Sequence, residues 1–186
     1  MQQRPKSIYS RGAHDGLYMG CYLSLLMIAI GASMEVPLLS LAAIAGVIGV
    51  PFVRYRFLKR SYAYDGYRST FAALWVHGIC IFFFGGLLMA LTVYLTLRFG
   101  APGYVAEQTA NVIAAYREIG SAQATEFANL LQAVLDAGAL PTPAEIAVEL
   151  VWMGVFSGSL LSILVALIVR SRRRSGPPPY MGAGEV

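Results

Sequence analysis

Charge is what this chain has least of. Asp, Glu, Lys and Arg make up only 13% of its 186 residues, while 57% are hydrophobic. A soluble domain carries about 25% charged residues, so most of this chain is not built to face water. Cysteine is also scarce. Cys21 and Cys80 both fall inside apolar runs and neither belongs to a paired Cys motif, which leaves out a disulfide framework and a thiolate metal centre. No GxxxxGK[ST], HExxH, GxSxG or haem-attachment sequence occurs. The expectation is therefore no catalytic residue, no cofactor and no metal, in a protein that is not an enzyme. Nor do Asp, Glu and His recur along the apolar runs, as they usually do in a pump or ion-coupled transporter. No internal repeat of the secondary-transporter kind is visible.

What the chain does have is four long apolar stretches, at residues 17–33, 36–53, 71–97 and 146–169. A membrane-spanning helix needs about 20 residues. The third and fourth stretches exceed that, and the first two lie nearer the lower limit of about 17. Pro37 would stand in the first turn of the second helix, where its missing N–H costs nothing. Residues 1–33 also read as a basic segment before an apolar core, as in a cleaved signal peptide. The second span follows within a few residues, which favours a retained first helix.

The basic residues sort to one side of this topology. Twelve of the fourteen Lys and Arg fall before the first span, between the second and third, or after the fourth; Arg98 and Arg117 are the exceptions. Lys and Arg bias in short loops sets membrane orientation, so both termini are expected in the cytoplasm. Most acidic residues sort the other way, among them Glu107, Glu118, Glu126, Asp136, Glu145 and Glu149. The net charge of +4 is then explained by segments facing anionic headgroups, and nucleic acid is not an expected partner.

The organisation that follows is a cytoplasmic segment at 1–13 and three membrane helices within 14–97. A basic, Tyr-rich cytoplasmic loop at 54–69 lies on the headgroups, turning at Asp65-Gly66. Residues 98–142 lie outside. Ala101-Pro102-Gly103 breaks the third helix, and apolar residues then recur with helical spacing over 105–119 and 127–135, with Gly120-Ser121 between them. Two short amphipathic helices cannot bury both stripes alone, so they must rest on the membrane, on the helix ends or on a partner. Thr142-Pro143-Ala144-Glu145 reads as a capping box with Pro at the first helical position, opening a fourth membrane helix over 143–170. Residues 171–186 form a basic, Pro-rich cytoplasmic tail, whose Pro-Pro-Pro-Tyr is WW-ligand-like but more simply a disordered extension. The fold class is all-α: an integral membrane four-helix bundle with an extracytoplasmic amphipathic helical hairpin between helices three and four.

Two groups of residues stand out within the spans. Gly154, Gly158, Ser162 and Ala166 recur at four-residue spacing on the fourth helix, and Gly16 and Gly20 on the first. Small residues at this spacing let helix backbones approach closely. Packing within the bundle is the simpler reading, and a partner-binding face the functional one. His77 is the one ionisable residue placed well inside a span, with no second His, Asp or Glu at comparable depth. A hydrogen bond to a neighbour would satisfy it, and a place near a transport pathway is the alternative. Glu149 and Arg98 stand near the outer ends of neighbouring spans and could pair. Asp15 could cap the first helix.

Gly16-Leu17-Tyr18-Met19-Gly20 opening the first helix, the Tyr-Arg loop, Ala101-Pro102-Gly103-Tyr104 after the third helix, the acidic helical insert and the Gly/Ser-rich fourth helix ending in a basic run form one ordered pattern. In this the chain resembles the bacterial membrane family called domain of unknown function 4199, common in Bacteroidota, over about residues 10–175. Members tend to carry an Asp before the Pro that follows the third helix, where this chain has Ala101. The resemblance implies four spans in a bacterial inner membrane and carries no activity or catalytic residue. The expected role is a non-enzymatic accessory or scaffold subunit of the inner membrane. Its partners would be the lipid bilayer and either another membrane protein or further copies of itself. A small oligomeric transporter or channel, with His77 near the pathway, is the alternative.

Overall fold

The computed structural model describes residues 7–33, 36–66 and 68–171. Among the described residues it is all helical: α1 (Ile8–Ala32), α2 (Pro37–Tyr64), α3 (Phe71–Leu95), a π-helical turn (Thr96–Gly100), α4 (Tyr104–Ile119), α5 (Ala122–Asp136) and α6 (Pro143–Ser171). α1, α2, α3 with the π-turn, and α6 are long and apolar enough to cross a membrane. The chain is a four-span membrane protein. The Pro-Pro-Pro-Tyr tail and the turn at Glu35 lie outside the described residues.

Local chemistry sets the helix ends. The Ser7 hydroxyl accepts from the Ser10 N–H at 3.2 Å, so the first helix begins before the apolar run does. Asp15 is therefore not a cap but lies two turns inside the helix. The Thr70 and Ser121 hydroxyls cap α3 and α5 in the same way. The capping box at α6 forms in both directions. The Thr142 N–H donates to Glu145 Oε2 at 2.7 Å, and the Glu145 N–H donates to Thr142 Oγ1 at 3.3 Å. Gly120 separates α4 from α5 at φ 69°, a left-handed conformation that a side chain would strain.

Two expectations from the sequence need correction. The segment at 54–69 is not a loop up to its tip, because α2 continues helical to Tyr64. Arg54 points into the bundle there, and Leu58 and Tyr62 pack with Leu74 of α3 and Val165, Ala166 and Val169 of α6. The first two spans are also not near the minimum length. α1 has 25 residues and α2 has 28, because both helices extend through polar sequence that a hydropathy reading discards.

α1 and α3 run the same way and α2 and α6 run opposite, which gathers the basic ends of all four spans. α1 lies directly on α3. A Cβ at Gly12 would sit 2.6 Å from Cys80 Cβ, at Gly16 2.8 Å from Phe84 Cβ, and at Gly20 2.9 Å from Leu88 Cβ. The three glycines are one face of α1 cut down to backbone so that α3 can approach. α6 meets α3 from another side, where Gly158 faces the Phe82 ring and the Trp75 indole N–H donates to Ser159 Oγ at 3.2 Å. α2 is held more lightly. Tyr22 of α1 lays its hydroxyl against Gly46 and Gly49 and donates to the Gly46 carbonyl at 2.5 Å.

Candidate functional site

Two features in this frame carry chemistry or space: a buried polar cluster near the basic end and an apolar gap at the other.

The cluster begins at the surface. Arg11 of α1 donates to Asp65 at 3.0 Å and to the Ser61 carbonyl at 3.2 Å, and its guanidinium lies over the Tyr64 ring. Ser69 also donates to Asp65. The Asp65 carboxyl is held below its ordinary range: partial burial pushes its pKa up, and the hydrogen bonds from Arg11 and Ser69 overcome that. One turn further in, His77 Nε2 of α3 stands 3.3 Å from Asp15 Oδ2 of α1. Arg54 of α2, wholly buried, directs Nε and Nη2 to Ser162 Oγ of α6 at 3.4 and 3.3 Å. Ser162 in turn donates to the Gly158 carbonyl at 2.6 Å. The absent side chain of Gly78 makes this possible, since a Cβ there would collide with both Arg54 Nη2 and Ser162.

Asp15 is the acidic member of the cluster, buried together with Arg54 and His77. The cluster is not fully hydrogen-bonded. Among the described residues, Arg54 Nη1 and both His77 ring nitrogens lack a hydrogen-bond partner. One ionisable or polar residue from each of four spans thus meets at one level of the bundle. The cluster can fasten helices, because lipid offers no hydrophobic force to drive them together and polar contacts must help.

His77 is buried, as its place in the sequence implies. The expectation that no other acid shares its depth is wrong, because an earlier start to α1 carries Asp15 down to it. Glu149 and Arg98 are not buried; both are exposed, and no ion pair joins them among the described residues. The two lie on helix faces turned away from the bundle. Of the small residues, Gly158, Ser162, Ala166, Gly16 and Gly20 pack inside the bundle, while Gly154 meets open space. Arg54 was missed. A single Arg followed by Tyr-Arg looks like the start of a headgroup-facing run, and the signal that could have found it is Gly78 opposite.

At the far end, α4 and α5 rest on each other, with Tyr116 and Phe127 rings 4.8 Å apart. Neither packs closely on α1, α3 or α6. A gap of about 1100 Å³ lies beneath them, bounded by the ends of α1 and α3, the π-turn and the start of α6. Among the described residues no group of His, Cys, Asp and Glu could hold a metal.

The fold and these contacts define a helical membrane protein with one cross-linked end and one open end. The chain matches the family described as protein of unknown function (DUF4199) over residues 14–171 and belongs to that family. No curated protein and no solved structure matches it.

Proposed function

We propose that this is a non-enzymatic accessory or scaffold subunit of a bacterial inner membrane, acting through contacts made by α4 and α5. The observation that supports it is an apolar stripe outside the spans with nothing packed on it. Ile119, Leu130 and Val134 are exposed there, and none of them borders the gap beneath. A soluble-facing helix pair has no reason to keep such a stripe unless another surface covers it. The membrane protein that covers it would meet an acidic rim, from Glu118, Glu126 and Asp136. The basic sorting supports placing α4 and α5 on the extracytoplasmic side.

The test is gentle extraction of the native protein and measurement of particle mass and composition, beside a Leu130→Ser, Val134→Ser variant. A stoichiometric partner in the wild type that is lost in the variant is the expected result. A monomeric particle in both would defeat the reading.

A second reading has one observation of its own. Asp15 beside His77 is a carboxylate–imidazole pair buried in a span, and such pairs serve proton relays. It would make the protein a small oligomeric transporter, since four helices enclose little of a pore. Proteoliposome flux abolished by His77→Ala, together with a homo-oligomeric particle, would favour it over the subunit reading.

A further inference from the structure

We propose that the gap beneath α4 and α5 is a binding site for an acyl chain of a membrane phospholipid, taken from the surrounding bilayer. Its volume of about 1100 Å³ lies just above the usual range for small-molecule sites, which is about 300–1,000 Å³. No Lys, Arg, His, Asp or Glu lines it. Such a wall cannot hold an ion or a charged metabolite, whose charge would have no partner.

Water is a poor occupant for the same reason. Ordered water needs two to four polar partners, and the wall is mainly Met27, Val93, Val105, Val112, Leu131 and Leu150. Two of its few polar groups are already engaged. Thr92 donates to the Leu88 carbonyl, and Thr109 to the Val105 carbonyl. An empty volume of this size would deprive every lining side chain of contact atoms on one side. A flexible hydrocarbon chain satisfies that wall.

The bilayer is the source because the wall is continuous with lipid-facing surface. Ile28 and Ile30 line the gap and are also exposed on the span α1. A chain can therefore enter sideways without crossing water, while its headgroup stays outside an uncharged pocket. The occupant differs from the protein partner proposed above, whose contacts Ile119, Leu130 and Val134 do not line the gap.

Gly31 supplies the test. It lines the gap, and a Cβ added there meets nothing within 4 Å. Gly31→Phe should thus fill part of the space without disturbing the bundle. The full chain would be placed in phosphatidylethanolamine–phosphatidylglycerol nanodiscs doped with a phosphatidylethanolamine bearing a diazirine at the end of one acyl chain. After irradiation, cross-linked peptides are mapped by mass spectrometry. A chain end lying freely in the bilayer labels the spans near the midplane and not α4. The expected result is labelling at Val105, Val112 and Leu131, lost in Gly31→Phe, while labelling at the lipid-facing Phe156 persists in both. Val93→Trp is a second blocking variant, read the same way if Gly31→Phe does not fold. Absence of wild-type labelling at those three residues would overturn the proposal, as would labelling that both blocking variants leave intact. Recovery of free fatty acid in place of phospholipid, as the stoichiometric co-purifying lipid, would overturn the bilayer source.

Discussion

At the basic end, Arg11 reaches Asp65 and the Ser61 carbonyl, and a turn deeper Asp15, His77, Arg54 and Ser162 bring one side chain from each span to a single level. At the other end, α4 and α5 barely touch the spans and leave about 1100 Å³ between. Both ends are α-helical, so helix propensity does not explain the contrast. The difference is where polar side chains are spent. Lipid tails are as apolar as Leu, and spans are held by close backbone approach and polar contacts. This chain concentrates both toward the basic end and the middle, which fixes the bundle and leaves the far end free to admit something else.

The largest expected effect comes from breaking the cluster. Asp15→Ala removes the acidic member of the cluster and leaves Arg54 and His77 buried without it. Removing one member of a buried ionic group typically costs about 3–5 kcal/mol. Thermal unfolding in detergent should show a large fall in Tm or no folded protein. Leu130→Ser at the open end should cost about 0.5 kcal/mol or less, since nothing packs on it. Equal losses at the two sites would break the contrast between the ends.

Next in size is one substitution made twice on α6. Gly158→Ala drives a methyl into the Phe82 ring, and overpacking costs about 1–3 kcal/mol. Gly154→Ala, one turn away, meets nothing within 4 Å. There the gain in helix propensity should stabilise by up to about 0.5–1 kcal/mol. Opposite signs in Tm sharpen the view that the small residues serve packing at Gly158 and leave a free face at Gly154. Equal signs would mean that the α3–α6 interface is looser than its geometry.

A smaller effect belongs to the open end. Thr142→Ala removes the bonds of the hydroxyl that caps α6, from the Glu145 N–H and to Glu145 Oε2, and leaves the Thr142 N–H to Glu145 in place; such losses run about 0.5–2 kcal/mol. Because the spans are held at the other end, hydrogen exchange should speed up in residues 143–147 with little change in Tm. A fall in Tm as large as that of Gly158→Ala would show that the two ends unfold as one unit.

Much of this was legible in the sequence, and what was missed has a common cause. The spans show because 20-residue apolar runs have few other uses. The start of α6 shows because Thr142 and Glu145 make a capping box by local rules, and the break between α4 and α5 shows at Gly120-Ser121. Arg54 and Asp15 were misjudged because both sit where apolar sequence gives way to polar sequence. Hydropathy assigns such residues to a loop, whereas helical hydrogen bonding carries them inward. The pairing of Asp15 with His77 joins residues 62 positions apart and leaves no local trace. The gap at the far end is a property of how α4 and α5 are placed, which no periodicity encodes.

The smallest predicted effect tests whether the basic end is one electrostatic unit or two layers. Asp65 is only partly buried and its partner Arg11 lies near the surface, so the pair should contribute no more than about 1 kcal/mol. Its carboxyl is held below the ordinary range, with burial opposing and the hydrogen bonds from Arg11 and Ser69 prevailing. A lowered folded-state pKa means that the contribution is complete above the unfolded value of about 3.9 and lost as pH falls through the folded value below it. The Tm difference between wild type and Asp65→Asn should therefore stay flat from about pH 8 to pH 5 and close only in acid below the unfolded value. A difference that changes between pH 5 and pH 8 would tie it to a histidine, which titrates in that interval. His77, the nearer buried candidate, would then link the outer pair to the inner cluster, and adding His77→Gln should restore the flat profile. If the profile is flat without that change, the outer pair and the buried cluster act as separate layers, and only the inner one fixes the bundle.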